Sequence, residues 1–302
     1  MKAWQERLAQ LKRKWHELRF RRITSGVRKL PPIRLATEGP VVLSMVQHRD
    51  VDAYLLALGT FVRQIPVRRV VVVADPSLDD LDRAMLEQLV PGIEIVPCTR
   101  FQVSGLPTGG TWERLIAISG YVADGYVIQL DADTVATGQL AEVANCIRDN
   151  VAFTLGTEDR FVLQSLTEAA EFARSSLSPQ SHVQVHAEAA LDSLPSAEFA
   201  FYIRGCSGFA GFPQGYDFYS KLVTLSVAMQ ARLGKVWAQW GSEQFASNVM
   251  VANAPEAMVL PHPKYCAPHR RVDDSVFLHF IGYVRYIDGT YAALARNYLR
   301  TS

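Results

Sequence analysis

Asp131 and Asp133 stand one residue apart in YVIQLDADTV (126–135), directly after a run of apolar residues. Two carboxylates on alternate residues at a strand end can reach one site, directly or through water. They supply hard oxygen ligands for Mg2+ or Mn2+, ions that commonly bridge to substrate phosphates. The pair alone is weak evidence: the chain holds 16 Asp among 302 residues, so about one such tripeptide is expected by chance. It holds three, Asp50/Asp52, Asp80/Asp82 and Asp131/Asp133, and only the third follows a run that reads as a buried strand. A structural alternative is open here: Asp131 starts a turn and Asp133 caps a helix over TGQLAEVANCI (137–147).

The elements that position this pair alternate between strand and helix. VVLSMV (41–46) reads as a strand, followed by a helix from Val51 to about Gln64. RRVVVVAD (68–75) is a second strand, SLDDLDRAMLEQLV (77–90) a helix with Ser77 as its cap, and IEIVP (93–97) a third strand. TWERLIAISGYVA (111–123) is helical and YVIQL (126–130) is the next strand. Strands separated by helices predict an α/β fold with a mostly parallel sheet flanked by helices. Such sheets bind ligands at the carboxyl ends of their strands, where Asp131 and Asp133 fall.

Further along, 160–195 reads as a polar helical insertion broken at SSLSPQS (175–181). EFAFYIRGCSGFAGF (198–212) reads as strand and Gly-rich turn, and 216–234 as a helix closed by Gly234. Residues 241–254 form another helix, VFLHFIGY (276–283) a strand or turn, and the tail at 286–302 a short helix. Neither a GxxxxGK nor a GxGxxG phosphate loop occurs.

Composition sets the class. At 49% hydrophobic and 20% charged, the chain is ordinary for a globular protein. Cys98, Cys146, Cys206 and Cys266 form no CxxC pair and fit free thiols in a reducing compartment. No apolar run spans a bilayer and no signal peptide opens the chain, so a cytoplasmic location is expected. Residues 1–30 carry ten Lys or Arg against two Glu, a balance of +8, while the rest carries 21 basic against 28 acidic residues, −7. The basic character therefore belongs to one segment, 1–32, ended by Pro31–Pro32. There Trp4, Leu8, Leu11, Trp15 and Leu18 share one helical face, with Lys12, Arg13, Lys14, Arg19, Arg21 and Arg22 on the others. This amphipathic helix suits the anionic inner leaflet of a membrane as a peripheral contact. Packing on its own domain or on a partner helix is the alternative, and nucleic acid is not the expected partner.

With these pieces in order, WERLIAISGYVADGYVIQLDADTVATGQL (112–140) resembles the metal-binding region of GT-A-fold glycosyltransferases, most closely the retaining family 8 type. EQFASN (243–248) resembles that family's acidic–Gln–x–x–x–Asn motif. HFIGYVR (279–285) resembles its His–Phe–x–Gly–x–x–Lys motif, with Arg285 where Lys is usual, and CSGFAGF (206–212) its small-residue strand under the donor sugar. The resemblance spans roughly 41–285, within a domain of 40–285.

The resemblance implies roles. Asp131, Asp133 and His279 would hold Mn2+ or Mg2+. Arg114, Asp131, Ser207, Gly208, Gly282 and Arg285 would bind the nucleotide-sugar donor, with Arg285 on a phosphate oxygen. Glu243 would bind sugar hydroxyls, with Gln244 near the anomeric carbon. SMVQHRD (44–50) departs from the family, whose first strand ends with polar residues and a Tyr that grip uracil. His48, Arg49 and Asp50 offer polar groups for a base or ribose, with no family match behind them. The reaction implied is transfer of a sugar from a UDP-sugar to an acceptor hydroxyl with retention, by same-face displacement, in bacterial surface glycan or glycolipid assembly. The acceptor would be a glycan or lipid-linked, touching the 160–195 insertion. Two other readings use a similar sheet: a sugar nucleotidyltransferase, which needs a Gly-rich N-terminal loop absent from VVLSMVQHRD (41–50), and a non-catalytic nucleotide-sugar or carbohydrate binding module.

Overall fold

The computed structural model describes residues 2–157, 162–282 and 284–302. The first two positions of the expected insertion (160–161) and residue 283 of HFIGYVR lie outside the described residues.

Four strands, β1 (Val41–Val46), β2 (Arg69–Ala74), β3 (Glu94–Pro97) and β4 (Val127–Leu130), run parallel in the order β3-β2-β1-β4. Their sequences are nearly continuous apolar runs because both faces are covered. Val42 and Val46 of β1 enter one core, while Val41 and Leu43 enter the other. Helices α2 (Val51–Val62), α3 (Asp80–Leu89) and α4 (Trp112–Tyr121) precede β2, β3 and β4 in turn. After β3 the chain returns to the other side of β1, so the strand order reverses between β1 and β4. Ligand crevices form at such switch points.

Beyond β4 the sheet becomes mixed. β9 (Gly205–Phe212) is antiparallel to β4 and to β6 (Phe153–Gly156), and β10 (Met258–Val259) is parallel to β6. The Gly-rich part of the stretch read as strand and turn is thus one continuous buried strand, as the family's small-residue strand implied. Its small residues let other groups come close: a Cβ on Gly208 would collide with the His279 ring.

A small sheet joins β5 (Thr134–Ala136), β12 (Phe277–His279) and β11 (Tyr265–Cys266). Its antiparallel register pairs Thr134 with His279. A residue 146 positions away is thereby set beside Asp133. β5 also removes the capping alternative. The following helix, α5 (Ala141–Asp149), begins later than expected and has Leu140 at its N-cap with no side-chain cap.

Elsewhere the boundaries shift for identifiable reasons. α3 is capped by Asp79, not Ser77: Asp79 accepts from the Asp82 amide at 2.8 Å and Asp82 reciprocates in a capping box. The Ser77 hydroxyl instead donates to Asp75 at 2.6 Å. The 160–195 stretch holds β7 (Gln164–Ser165), α6 (Leu166–Ser175) and α7 (Val183–Glu188), with the break between the helices where SSLSPQS lies. It is not simply polar, since Leu166, Ala170, Val183 and Leu191 are buried. β7 pairs with β8 (Phe201–Tyr202). Then α8 (Phe218–Leu233) closes at Gly234, whose φ is +56°, and α9 (Ser242–Ala252) and α10 (Thr290–Thr301) follow.

The N-terminal helix α1 (Lys2–Thr24) ends before the two prolines, in a 3-10 turn over Ser25–Lys29. Its C-terminal turns pack on the domain through buried Phe20 and, just beyond, Val27. Trp4, Leu8, Leu11, Trp15 and Leu18 do not; Trp4 is 68% exposed and Leu11 62%. The expected apolar face therefore points away from the protein's own core. Among the described residues no helix is long and apolar enough to cross a membrane.

Candidate active site

One cavity of about 470 Å3 opens at the switch point. Asp131 follows β4 directly, and its amide donates to the Gly208 carbonyl at 2.9 Å. Ser207 and Gly208 come from β9, His279 from β12, and Gly282 and Arg285 from the loop that follows. Arg114 comes from the first turn of α4, and Glu243 and Gln244 from the first turn of α9. All ten residues given metal, donor or catalytic roles, from five stretches of chain, line this single cavity; of His48, Arg49 and Asp50 only Arg49 lines it.

The charges in it are paired. Arg114 bonds Asp131, and at 3.0 Å Glu243. Arg285 bonds Asp133 and, at 3.2 Å, Asp50. His279 Nε2 lies 3.1 Å from Asp133 Oδ1, while its Nδ1 is 3.3 Å from Cys206 Sγ. Burial disfavours ionisation of Asp133, but His279 and Arg285 together hold its carboxyl well below the usual range. For Glu243 burial wins, and its pKa rises despite Arg114.

Asp131, Asp133 and His279 place two carboxylate oxygens and a ring nitrogen within 4.8 Å of one another. Opposite ligands of an ion with bonds of ~2.1 Å stand ~4.2 Å apart, so the three atoms fit one divalent cation with slight contraction. The mixed oxygen and nitrogen set can hold a divalent cation. His48, Asp79 and Asp82 also cluster, but His48 and Asp79 are exposed. His48 is held at 2.7 Å from Asp82 and turned toward α3. Asp50 faces Arg285, and Arg49 lines the cavity wall.

Several residues that line or support the cavity carry no motif in the sequence. Thr111 adopts φ +73°, costly for a β-branched residue, after Gly109 and Gly110, which are also left-handed. Its hydroxyl donates to Glu243 at 2.9 Å, so the strained turn orients that carboxylate. The Gly–Gly pair ahead of a helix was the available signal. Gln184 of α7 accepts from the Gln244 amide at 2.9 Å, linking the insertion to the site. Trp240 and His182 complete the rim. Nothing local marks these last three, because their role arises only when α7 packs on α9.

This sheet order, the antiparallel strand beside the DxD strand, and the site at their junction define the GT-A fold of glycosyltransferases. Solved structures agree. The chain is similar to galactosyltransferase LgtC in complex with donor and acceptor sugar analogues, at 12% identity over 85% of this chain and 95% of that chain, TM-score 0.50. It is similar to an active-site mutant of LgtC over 86% and 95%, at 12% identity and TM-score 0.53. It is also similar to the apo structure of WbbM, a bifunctional glycosyltransferase, at 13% identity and TM-score 0.50 over 87% of this chain; the chain spans 45% of WbbM. No protein-family model and no curated protein sequence matches it.

Proposed function

We propose that the protein is a glycosyltransferase that moves a sugar from a nucleotide sugar, a UDP-sugar by the family resemblance, to an acceptor hydroxyl with retention. The observation that carries this reading is the convergence of all ten motif residues on one cavity at the switch point. Asp131, Asp133 and His279 hold Mn2+ or Mg2+, which when bound acts as a Lewis acid toward the departing diphosphate. His279 would bind a cation through its neutral ring, so the ion would compete with the Asp133 contact that His279 makes here. Arg285, which lines the cavity beside Asp133, would pair with a phosphate oxygen through its planar fork. Arg114 keeps Asp131 and Glu243 in place on the donor side. Ser207 and Gly282 present little bulk to the sugar and diphosphate, Gly208 leaves room for the His279 ring, and the pairing of Glu243 with Arg114 and Thr111 directs its free lone pairs to sugar hydroxyls.

In the transfer the bond from the anomeric carbon to the phosphate oxygen breaks and a bond to the acceptor oxygen forms on the same face. The acceptor proton passes to the departing diphosphate. Glu243 is a poor nucleophile, being clamped by Arg114 and Thr111, and the Gln244 amide is held by Gln184. Catalysis rests on positioning and charge stabilisation. The exposed Trp and Leu face of α1, ringed by basic residues, docks on an anionic inner leaflet, and the product belongs to surface glycan or glycolipid assembly.

A panel of UDP-sugars with Mn2+, followed by NMR, tests the reaction. Metal-dependent donor hydrolysis abolished by Asp133→Ala is expected, with the first-formed product keeping the donor's anomeric configuration. Donor binding without any turnover would instead leave a binding module.

A further inference from the structure

Trp240 is 75% exposed, yet it stands on the rim of the cavity that holds Asp131 and Gln244. Its position is built. A Cβ on Gly110 would lie 3.7 Å from both Cα and Cδ1 of Trp240, so the indole's base rests against that glycine turn. Gly241, at φ +102°, follows it, and a side chain there would collide with the His182 ring. His182 meets the indole edge-to-face at 5.5 Å and 81°. That ring is itself fixed, because His182 Nδ1 accepts from the Gln184 amide at 3.3 Å and caps α7. Two segments distant in the chain, the Gly110 turn and the start of α7, therefore hold a large aromatic ring whose surface remains open to solvent beside the reaction centre.

We propose that Trp240, braced by His182, is the stacking platform for a pyranose ring of the acceptor. The inference rests on the glycosyl-transfer reading and names the acceptor class: a saccharide end, not a peptide hydroxyl or a simple lipid alcohol. A pyranose has a face of polarised C–H groups and an edge of hydroxyls. The C–H face suits the negative face of an indole, and the hydroxyls suit neighbouring amides such as Gln244. Trp is favoured where one side must be apolar and the other wet. His182 belongs to the 160–195 insertion and Trp240 to the lead into α9, so the platform joins the insertion to the rim of the cavity.

Saturation-transfer NMR on the full chain with UDP and Mn2+ tests this, using lactose, maltose and cellobiose as probes. At least one disaccharide should receive magnetisation on its C–H face, its Kd should rise at least tenfold in Trp240→Ala, and Trp240→Tyr should restore most of it. The UDP Kd of Trp240→Ala should stay within twofold. Saccharide binding unchanged in Trp240→Ala, a UDP Kd that rises with it, or no disaccharide binding to a wild type that binds UDP would each overturn the platform. Failure of the transferase reading shows separately, as wild type that binds no UDP with Mn2+.

Discussion

The ring of Phe20 stacks on that of Tyr291, with centroids 3.7 Å apart and planes at 23°. Tyr291 stacks in turn on Phe280 at 4.0 Å, and its hydroxyl donates to the Ala132 carbonyl at 3.3 Å. Ala132 is the residue between the two aspartates. The base of α1 is therefore tied, through one aromatic column, to the loop that carries the cavity's carboxylates. Phe20→Ala should cost about 3–5 kcal/mol in urea unfolding, the range for truncating a buried Phe. A loss below about 1 kcal/mol would mean that α1 is not part of the folded core.

Gly208 leaves room for His279. Gly208→Ala should displace the imidazole and weaken Mn2+-dependent UDP binding at least tenfold, or about 1.4 kcal/mol, with the far-UV circular dichroism unchanged. Retained affinity would remove His279 from the set of ligands.

Glu142 ties α5 to β11, accepting from Lys264 at 2.7 Å and from the Tyr265 hydroxyl at 2.9 Å. Burial opposes its ionisation, but Lys264 and the hydrogen bonds outweigh it, so its folded pKa is lowered. A lowered carboxylate pKa stabilises the fold above the unfolded value and loses that contribution as pH falls through the folded value. Glu142→Gln should thus cost about 1 kcal/mol at neutral pH, with the gap to wild type closing below about pH 4. A pH-independent gap would assign the effect to shape, not charge.

The exposed stripe of α1 predicts binding to vesicles containing phosphatidylglycerol. Trp4→Glu combined with Trp15→Glu should abolish co-sedimentation. If sedimentation is unchanged and the association state shifts instead, the stripe is a contact between copies of the chain.

How much of this was legible in the sequence depends on what each feature needs. β1 matches VVLSMV residue for residue, and β2, β3 and β4 lie within one residue at each end of the apolar runs, because a doubly covered parallel strand declares itself. The DxD site was legible because a strand end fixes its place. Ser77 and Asp79 are both good caps, and only the reciprocal bond with Asp82 separates them. The residues alone left GCSGFAGF between strand and turn because glycine is ambiguous, and only the resemblance marked it as strand; there glycine serves close packing inside a strand. The apolar face of α1 was visible, but its direction was not, since periodicity says which residues share a face and not what covers it. The ion pairs of Arg114 and Arg285 with the carboxylates, and the pairing of Trp240 with His182, depend on contacts between distant segments that no local pattern encodes.

Calorimetry of UDP binding, with and without Mn2+, on wild type and on Asp131→Ala/Asp133→Ala, tests the central claim most directly. The account predicts binding that requires both the metal and the aspartates. Nucleotide binding that survives their loss, or none with UDP or GDP in the presence of Mn2+, would contradict it and return the two carboxylates to the role of salt-bridge partners for Arg114 and Arg285.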